Sequence, residues 1–352
     1  MYSAAVRVSD FDFDLPEELI AQEARPRGAS RLLVLDRRSG AIEHTDVGEL
    51  PRFFRAGDRL VVNDTRVFAA RLLGRRVPSG GAVECLLLRS VGPGVYEALM
   101  HPGQKLKPAA VVRFDGPAGT LMAEVLDRRF FGRRTIRLWS ASGRSVDELI
   151  DALGHVPLPP YIKRADTAAD RERYQTIFAA VRGSVAAPTA GLHFTPALLD
   201  ALAQRGVERA TITLHVGYGT FKPVRTDAVE LHVVDPEPYD IAASAAGAIN
   251  AALESGHRVV AVGTTTTRAL EDAAIRGGGR VAAGAAEAGI FIYPGFRFQV
   301  VSGLMTNFHL PRSSLLMLVC AFAGRERVLA AYREAVAQRY RFYSYGDAML
   351  IT

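Results

Sequence analysis

A change in the sequence pattern near residue 150 constrains the fold more than any other feature. Between Arg66 and Ser140 the chain consists of short β-rich runs, such as AVECLLLRSV and TIRLWS, separated by glycine and proline turns. Short strands at this spacing are typical of a small antiparallel barrel or sandwich. After Ile150 apolar runs alternate with helical patterns, which indicates β/α units around a parallel sheet. One domain class does not accommodate both patterns, so we expect two domains.

The order of these patterns along the chain predicts that one domain is inserted into the other. The residues before Arg66 carry a hairpin pattern, RLLVLDRRSGAIEHTDV, and a short helix for which Asp14 is the N-cap candidate. Both elements suit the α/β part of the chain. We therefore predict an α/β domain made of residues 1–65 and 150–352, and an inserted small antiparallel β-barrel domain made of residues 66–149.

Two elements of the predicted α/β domain have clear sequence signals. Thr195 is an N-cap candidate, Pro196 occupies the first helical position, and Gly206 marks the end of the same helix. The run RVVAVG is apolar on both faces, as expected of a strand inside a parallel sheet. These signals predict a helix over about 196–205 and a buried strand that ends near Gly263.

The composition excludes several classes of protein. Charged residues make up 23% of the 352-residue chain, as in ordinary globular proteins, and the two cysteines stand alone in apolar runs. That pattern predicts buried thiols, not a disulfide framework or a zinc site. The most apolar run, Leu315–Ala323, is about half as long as a bilayer span, and the first residues lack a signal-peptide pattern. We expect a cytoplasmic protein whose net charge of +6 suits a polyanionic partner.

The segment SVAAPTAGLHFT combines small residues, a proline and one histidine directly before a predicted helix. Small side chains at Thr189, Ala190 and Gly191 allow a flat ligand to approach the backbone and bond to its N–H and C=O groups. Electron-rich groups bind well near a helix N-terminus, and His193 is placed to transfer a proton near neutral pH. The structural alternative is a tight turn in which His193 only packs.

The segment TLHVGYGTFKPV places His215, Tyr218 and Lys222 around two glycines that follow a predicted strand. Glycines permit unusual backbone angles there, and the lysine is placed to meet a carboxylate or phosphate. The segment is not a dinucleotide fingerprint, because the third glycine and the acidic residue are missing. A glycine-rich hairpin turn is the structural alternative.

Two later segments place polar residues at the ends of predicted strands. VVAVGTTTTRALED offers four hydroxyls, Thr264–Thr267, and Arg268 at the carboxyl end of a strand, where open α/β sheets bind ligands. SGLMTNFHLPRSS carries an amide, an imidazole and a guanidinium in Asn307, His309 and Arg312. Such groups read base edges and hold phosphates or carboxylates. N-capping by one threonine and a capped loop are the structural alternatives.

Basic residues cluster near both predicted domain boundaries. Lys105 lies in the predicted barrel, Lys163 and Arg164 follow it, and Arg66 and Arg71 border its start. Together these side chains are placed to line a phosphate-binding groove between the domains. For each residue alone, a solvated surface position is the ordinary interpretation.

The motifs taken together, in this order, resemble a known family. LVVNDTRVFAARLLG, GHVPLPPYIKR, GSVAAPTAGLHFT, TLHVGYGTFKPV, VVAVGTTTTRALE, GLMTNFHLPRSSLLMLV and YRFYSYGDAMLI are similar to segments of the S-adenosylmethionine:tRNA ribosyltransferase-isomerases of queuosine biosynthesis. The resemblance covers essentially the whole chain. It implies an α/β domain with an open barrel-like sheet and an inserted β-barrel.

The resemblance also implies a reaction. The ribosyl part of the co-substrate S-adenosylmethionine is transferred to 7-aminomethyl-7-deazaguanine at the wobble position of a tRNA anticodon and isomerised. The products are epoxyqueuosine-tRNA, adenine and methionine, and no metal is required. The implied partners are therefore S-adenosylmethionine and a tRNA anticodon stem-loop, without a membrane, and we expect a monomer.

This reaction lets roles be assigned to the candidate residues. We assign proton transfer to His193, with His215 and His309 as alternatives. The residues assigned to S-adenosylmethionine binding are Thr189, Ala190, Gly191, Tyr218, Lys222, Thr264, Thr265, Thr266, Arg268 and Asn307. The residues assigned to tRNA binding are Arg66, Arg71, Lys105, Lys163, Arg164 and Arg312.

Two other functions are compatible with parts of the sequence. An RNA-binding module without catalysis would use the barrel as a platform and would not consume S-adenosylmethionine. A Rossmann-type methyltransferase or dehydrogenase requires a glycine fingerprint after its first strand, which this chain lacks. Methyl transfer would also release S-adenosylhomocysteine in place of adenine and methionine.

Overall fold

A computed structural model describes residues 6–129, 132–221 and 224–352 of the chain. The strands are β1 (Arg31–Leu35), β2 (Ile42–Asp46), β3 (Arg59–Asn63), β4 (Thr65–Val67), β5 (Arg71–Val77), β6 (Ala82–Gly92), β7 (Val95–His101), β8 (Val111–Gly116), β9 (Gly119–Arg128), β10 (Arg133–Ser140), β11 (Val181–Ser184), β12 (Glu208–Leu214), β13 (Glu237–Ile241), β14 (Val259–Val262), β15 (Gly284–Ala288), β16 (Gly303–Asn307) and β17 (Ala348–Ile351). The α-helices are α1 (Val146–Leu153), α2 (Ala168–Arg173), α3 (Pro196–Gln204), α4 (Ala243–Glu254), α5 (Thr264–Arg276), α6 (Ser314–Ala323) and α7 (Arg325–Ala337). Short 3-10 helices lie at Val8–Phe11, Glu17–Leu19, Val47–Phe53, Gly103–Lys105, Thr189–His193, Tyr218–Phe221 and Val229–Leu231.

The six consecutive strands β5–β10 close into an antiparallel barrel in the order β10-β7-β6-β5-β8-β9. Alternate residues face inward, so that Val83, Cys85 and Leu87 of β6 are buried while the residues between them are more exposed. A period of two lets one face of each strand fill the barrel core. Helix α1 packs on β8, β9 and β10 and adds Leu149 and Ile150 to that core.

The other strands form a nine-stranded mixed sheet in the order β15-β13-β12-β3-β14-β16-β17-β1-β2, and β4 pairs separately with β11. The central strands β12, β3, β14 and β16 are parallel to one another. All four residues of β14 are buried, as the apolar run RVVAVG predicts for a strand covered on both faces. Because parallel strands end at the same edge, the carboxyl ends of these four strands meet on one side of the sheet.

Helix α3 forms where its capping residues predict it. The Thr195 hydroxyl accepts a hydrogen bond from the Leu198 N–H at 3.1 Å, and Pro196 occupies the first turn. After the helix, Gly206 adopts φ +76°, a left-handed conformation that favours glycine. The cap and the stop position α3 directly after the small-residue loop that contains His193.

The predicted fold class, an α/β domain with an inserted antiparallel barrel, is confirmed. The hairpin β1–β2 is also confirmed, as are the two buried, unpaired thiols. The prediction of a helix beginning at Asp14 is wrong beyond a single 3-10 turn at Glu17–Leu19. Tertiary pairing overrides helix propensity there, because Ile20 forms a bridge to Phe342. The domain limits at residues 65 and 150 stay a prediction. No described helix is long and apolar enough to cross a membrane.

Candidate active site

A small pocket lies where the carboxyl ends of the central strands meet. It receives Gly263 and Thr264 after β14, the segment Thr306–His309 at the end of β16, and the small-residue loop Ala187–Ala190. Tyr161, Tyr343 and Ser344 close its remaining side. The cavity volume is about 50 Å³. We call it the strand-end pocket.

Local backbone geometry explains why the small-residue loop reaches this pocket. Ser184, at the end of β11, is buried; its hydroxyl accepts from the Val216 N–H at 2.8 Å and donates to the Ala186 carbonyl at 2.7 Å. These bonds anchor the loop to the segment that follows β12. On the opposite side, Gly263 adopts φ +95° between β14 and α5, close to the Ala190 methyl group. A left-handed residue at that point lets the chain turn sharply from strand to helix.

His193 does not line the strand-end pocket, but it is hydrogen-bonded to Asn307, which does. The Asn307 Nδ2 donates to His193 Nε2 at 3.1 Å, which leaves Nδ1–H to donate to the Ser30 hydroxyl at 3.0 Å. Burial, with a smaller contribution from Arg173, lowers the pKa of His193 to about 4. The imidazole is therefore neutral at pH 7, and it fixes the orientation of the Asn307 amide.

Asn307 presents an unused acceptor at the pocket. Its Nδ2 also donates to the Tyr343 carbonyl at 3.1 Å, so both amide hydrogens are engaged. The Oδ1 atom is buried and accepts no hydrogen bond from any described residue. A buried acceptor without a partner is costly unless a ligand or water supplies a donor. Asn307 is thus positioned to bind a ligand N–H or O–H group.

His309 is the one of the three candidate histidines that lines the strand-end pocket. Its Nε2 lies 2.8 Å from the Thr306 hydroxyl, and its backbone N–H donates to the Tyr332 hydroxyl. Burial lowers the pKa of His309 to about 3, so this imidazole is also neutral at pH 7. His215, in contrast, lies outside the pocket and contacts the Thr65 hydroxyl at 2.7 Å.

The threonine run divides into two pairs. Thr264 and Thr265 line the pocket at the N-terminus of α5. The hydroxyls of Thr266 and Thr267 instead donate to the Val262 carbonyl at 2.7 Å and the Gly263 carbonyl at 3.1 Å, directly before the helix. The structure therefore brings two of the three assigned threonines to the pocket, and it gives the Thr266 hydroxyl a backbone partner.

Arg268 does not reach the strand-end pocket, because protein groups occupy its guanidinium. It donates to Glu237 Oε2 at 2.6 Å, to the Ala288 carbonyl at 2.7 Å and to the Ile290 carbonyl at 3.2 Å. Glu237 Oε1 in turn accepts from the Gly217 N–H at 2.9 Å and the Thr220 hydroxyl at 2.8 Å. The buried ion pair thus anchors the segment 217–220 and leaves no guanidinium nitrogen unbonded.

The remaining residues assigned to S-adenosylmethionine occupy different places. Thr189 and Ala190 line the strand-end pocket. Gly191 lies just beyond it, where an added Cβ would meet the Thr176 methyl at 2.8 Å. Tyr218 faces a larger cleft described below, and Lys222 lies outside the described residues.

The larger cavity, which we call the interdomain cleft, has a volume of about 1310 Å³ and separates the barrel from the α/β body. Its barrel side includes Arg71, Arg128, Arg129 and Arg134. Its other side is formed by His155, Pro157–Pro160, Ile162–Asp166, Val185 and Tyr218. Arg128 and Arg129 are exposed on this wall and suit a polyanion, whereas Arg71 is paired with the cleft residue Glu84 and Arg134 is buried.

The strand-end pocket and the interdomain cleft share a thin wall. Along the chain, Ile162 faces the cleft while Tyr161 faces the pocket, and Tyr218 faces the cleft while Thr220 faces the pocket. Val185 and Ala187 show the same relation. Three short segments therefore separate a small-molecule site from a basic cleft.

The residues assigned to tRNA are only partly grouped by the structure. Arg71, Lys163 and Arg164 line the interdomain cleft, and Lys105 is exposed beside the cleft residue Gln104. Arg66 is exposed on β4 but outside the cleft lining, and Arg312 pairs with Asp12 away from the cleft.

Two of these cations are already paired with carboxylates, which limits their capacity to bind phosphate. Lys163 pairs with Glu17 at an exposed site. Arg164 makes a two-pronged contact with Asp170 at 2.7 and 2.9 Å. Although burial opposes the charged carboxylate, the hydrogen bonds from Arg164 and other donors hold the pKa of Asp170 well below its usual range. We infer that Arg164 mainly secures the loop that it belongs to.

Sequence reasoning missed several residues at these sites. Tyr161 and Ser344 line the pocket from segments that come together only in the tertiary structure. The repeated arginines in DRRFFGRR are a sequence signal for the cleft, and they lie near the end of β9 and the start of β10. Among the described residues, no three histidine, cysteine or carboxylate side chains form a metal-ligand group.

Fold and site together define a two-domain α/β protein in which a strand-end pocket borders a basic interdomain cleft. That combination is typical of an enzyme that brings a small molecule to a large anionic substrate. The chain belongs to the family of queuosine biosynthesis proteins, whose family model matches residues 8–351.

Named relatives agree with this assignment. The S-adenosylmethionine:tRNA ribosyltransferase-isomerase of Heliobacterium modesticaldum is 52% identical over 347 residues, covering 98% of this chain and 100% of the relative. The protein of the same name from an Anaeromyxobacter species is 53% identical over 350 residues, covering 98% and 99%. The crystal structure of S-adenosylmethionine tRNA ribosyltransferase from Thermotoga maritima is 38% identical, covers 98% of this chain and 100% of that one, and superposes with a TM-score of 0.55.

Proposed function

We propose that this protein is an S-adenosylmethionine:tRNA ribosyltransferase-isomerase. It transfers the ribosyl part of S-adenosylmethionine to 7-aminomethyl-7-deazaguanine at the tRNA wobble position and isomerises it to give epoxyqueuosine-tRNA, adenine and methionine. Membership of the queuosine family supports the activity. The observation that carries the assignment of sites is the thin wall between the strand-end pocket and the interdomain cleft.

The strand-end pocket is the proposed site for S-adenosylmethionine. Adenine and the methionine ammonium both carry N–H donors, which the unpaired Asn307 Oδ1 is placed to accept. The hydroxyls of Thr264 and Thr265 and the N-terminus of the 13-residue helix α5 supply further polar groups. The methionine carboxylate suits the helix N-terminus, because that end of the helix carries a partial positive charge.

The volume of the strand-end pocket requires a rearrangement on binding. Sites for drug-sized ligands are typically about 300–1,000 Å³, whereas this cavity measures about 50 Å³. Gly217 and Gly219 flank Tyr218 in the wall, and glycines tolerate large backbone changes. We propose that this segment moves to admit the co-substrate and to join the pocket with the interdomain cleft.

The interdomain cleft is the proposed site for the anticodon. Arg134 is 1% exposed, and backbone carbonyls hold its guanidinium, so it supports the barrel wall. Arg71, Arg128 and Arg129 are at least partly exposed on that wall, and arginine is well suited to bidentate contacts with phosphate. Because the pocket lies behind the opposite wall, a base in the cleft is one protein layer from the ribosyl group. Replacing these arginines should reduce tRNA affinity and flatten its dependence on salt concentration.

Two histidines remain proposed for steps at the ribosyl group. His309 lines the pocket and is the one placed to contact the co-substrate, whereas His193 acts through Asn307 as a positioning residue. Because both ring nitrogens of His193 are bonded to protein groups, we expect His193→Ala to act through the lost orientation of Asn307 and to lower turnover by less than the roughly 10²–10⁴-fold typical of a proton-transfer group. Unchanged turnover in this variant would remove His193 from the mechanism.

A product assay tests the function directly. The purified protein is incubated with S-adenosylmethionine and an anticodon stem-loop that carries 7-aminomethyl-7-deazaguanine, and products are identified by mass spectrometry. The proposal predicts adenine, methionine and an epoxyqueuosine RNA; an unmodified guanine stem-loop is the matched control. Release of S-adenosylhomocysteine would indicate a methyltransferase, and RNA binding without consumption of S-adenosylmethionine would indicate a binding module. We also expect a cytoplasmic protein that is a monomer, and sedimentation of the purified protein checks the oligomeric state.

A further inference from the structure

His155 and Asp166 form a hydrogen-bonded pair on the wall of the interdomain cleft, and none of the steps above uses them. We propose that His155 accepts the proton that must leave the 7-aminomethyl ammonium group before its nitrogen attacks. Asp166 is the positioning residue that orients the imidazole. The inference rests on the proposed function, because the amine belongs to the tRNA substrate of that reaction.

The geometry of the pair leaves one imidazole nitrogen available. His155 Nδ1 lies 2.9 Å from Asp166 Oδ1, and the Asp166 side chain is only 7% exposed. A carboxylate at Nδ1 selects the tautomer in which Nδ1 carries the hydrogen and Nε2 carries a lone pair. The His155 side chain is 41% exposed and lines the cleft. A buried carboxylate behind a cleft-facing imidazole is the arrangement found in general-base pairs.

The backbone around His155 is fixed to both parts of the molecule. Its N–H donates to the Arg71 carbonyl at 2.7 Å, and its carbonyl accepts from the Arg71 N–H at 3.3 Å, which ties it to barrel strand β5. Asp166 Oδ2 accepts from the Val156 N–H at 2.9 Å. The preceding residue must be glycine, since a Cβ on Gly154 would lie 1.9 Å from the Ala69 carbonyl oxygen. Such restraint on every side is what a proton acceptor needs to keep its geometry.

The chemistry of the substrate requires a proton acceptor in this cleft. A primary alkyl ammonium has a pKa near 10, like that of lysine, so it is almost entirely protonated at pH 7 and has no lone pair for attack. In the proposed step an N–H bond of the ammonium breaks, its electron pair stays on nitrogen, and the proton bonds to His155 Nε2. The resulting imidazolium is stabilised by the Asp166 carboxylate.

Charged groups surround the pair on several elements. On the barrel wall, Arg129 is paired with Glu97 at 2.9 Å and Asp127 at 3.5 Å, and the buried Arg134 guanidinium donates to backbone carbonyls. Around the pair itself, Arg71 is matched by Glu84 at 2.7 Å. The guanidinium of Arg171, from α2, donates to the Gly154 carbonyl at 2.5 Å. Lys163 and Arg164 share the same wall but are paired with Glu17 and Asp170, respectively.

The experiment measures adenine release by His155→Ala with saturating S-adenosylmethionine and the modified stem-loop between pH 6 and 9. His44→Ala is the matched control, since His44 is similarly exposed and lies 3.5 Å from the Glu334 carboxylate, but does not line either the cleft or the strand-end pocket. We expect His155→Ala to lower kcat/KM for RNA by about 10²–10⁴-fold at pH 7, while the Kd of RNA and of S-adenosylmethionine stays within about threefold. The wild-type rate should depend on pH more weakly than the variant rate, because the abundant ammonium form reacts directly through His155. The variant rate should rise about tenfold per pH unit, because the neutral fraction of the amine rises at that rate.

Each other outcome counts against the proposal in a distinct way. A His155→Ala variant that turns over like the wild type, or whose whole loss is in RNA affinity, overturns the role of His155. A pH profile parallel to that of the wild type overturns proton transfer even if the rate falls. His155→Gln, whose amide can still bond to Asp166, keeps the test decisive if the alanine variant does not fold. Absence of adenine release from the wild-type protein itself would refute the proposed function instead.

Discussion

Glu237 and Arg268 form an ion pair whose side chains are 3% and 8% exposed, and its disruption should be measurable as lost stability. In Glu237→Gln the new amide oxygen still accepts from the Gly217 N–H and the Thr220 hydroxyl, as the carboxylate does now. The guanidinium keeps its bonds to the Ala288 and Ile290 carbonyls but loses its counter-charge. Removing one partner of a buried ion pair costs about 3–5 kcal/mol.

The retained hydrogen bonds place the expected cost for Glu237→Gln at the lower end, about 3 kcal/mol. That cost corresponds to roughly a hundredfold change in the unfolding equilibrium constant. Urea unfolding followed by far-ultraviolet circular dichroism measures it. The matched control is Glu287→Gln on the neighbouring strand β15, where the side chain is 55% exposed and its partner Arg89 lies 3.9 Å away. We expect the control to change stability by less than about 0.5 kcal/mol.

A second variant separates the charge effect from the packing effect. Glu237→Gln combined with Arg268→Met removes both charges and keeps an apolar side chain of similar length. Because the buried, unpaired charge is the main cost, the double variant should be more stable than Glu237→Gln alone by at least about 1 kcal/mol. A loss below 1 kcal/mol for Glu237→Gln, or a double variant less stable than the single one, would refute our explanation of the segment 217–220.

Three further predictions concern stability and binding. His309→Gln should make the free energy of unfolding less dependent on pH in the acid range. Folding lowers the pKa of His309 from about 6.5 to about 3, so the folded state binds fewer protons than the unfolded state. The contribution of neutral His309 to the free energy of unfolding is therefore present above about pH 6.5 and is lost as the pH falls toward 3. The wild type should lose about 2 kcal/mol of this contribution at pH 5. Unfolding of the variant and the wild type at pH 7 and pH 5 measures the difference. Gly154→Ala should cost more than about 2 kcal/mol because its Cβ would lie 1.9 Å from the Ala69 carbonyl oxygen, whereas Gly48→Ala, with nothing within 4 Å, should be nearly neutral in the same melts. Asn307→Ala should weaken S-adenosylmethionine binding by about tenfold in isothermal titration, and an unchanged Kd would exclude Asn307 Oδ1 as a ligand contact.

The barrel and the helix caps were predictable because local patterns determine them. Strand alternation in residues 71–140 and the capping residues Thr195 and Pro196 act within a few positions of the chain, so they can be read from it directly. The failed helix near Asp14 marks the limit of that reasoning, because a bridge to Phe342 more than 300 residues away determines the local conformation. Local propensity yields where a distant strand offers backbone hydrogen bonds.

The candidate sites were only partly predictable for the same reason. The small-residue loop and the first two threonines reach the strand-end pocket because parallel strands deliver their carboxyl ends to one edge. Arg268 looked like a ligand contact because the sequence does not reveal its partner Glu237, 31 positions earlier. His155 and Asp166 are only 11 positions apart, but they lie in an irregular segment with no periodic pattern to predict their contact.

The position of the histidines follows from what the proposed chemistry must separate. The ribosyl group requires a dry pocket, and there the burial that excludes water also keeps His193 and His309 neutral. The amine requires a proton acceptor, and the proposed acceptor, His155, is partly exposed to solvent on the cleft side. One environment cannot satisfy both requirements, because the burial that protects the ribosyl intermediate disfavours an imidazolium. The wall between the strand-end pocket and the interdomain cleft keeps these two environments apart, and the proposed movement of the segment 217–220 would join them when the two reactants meet.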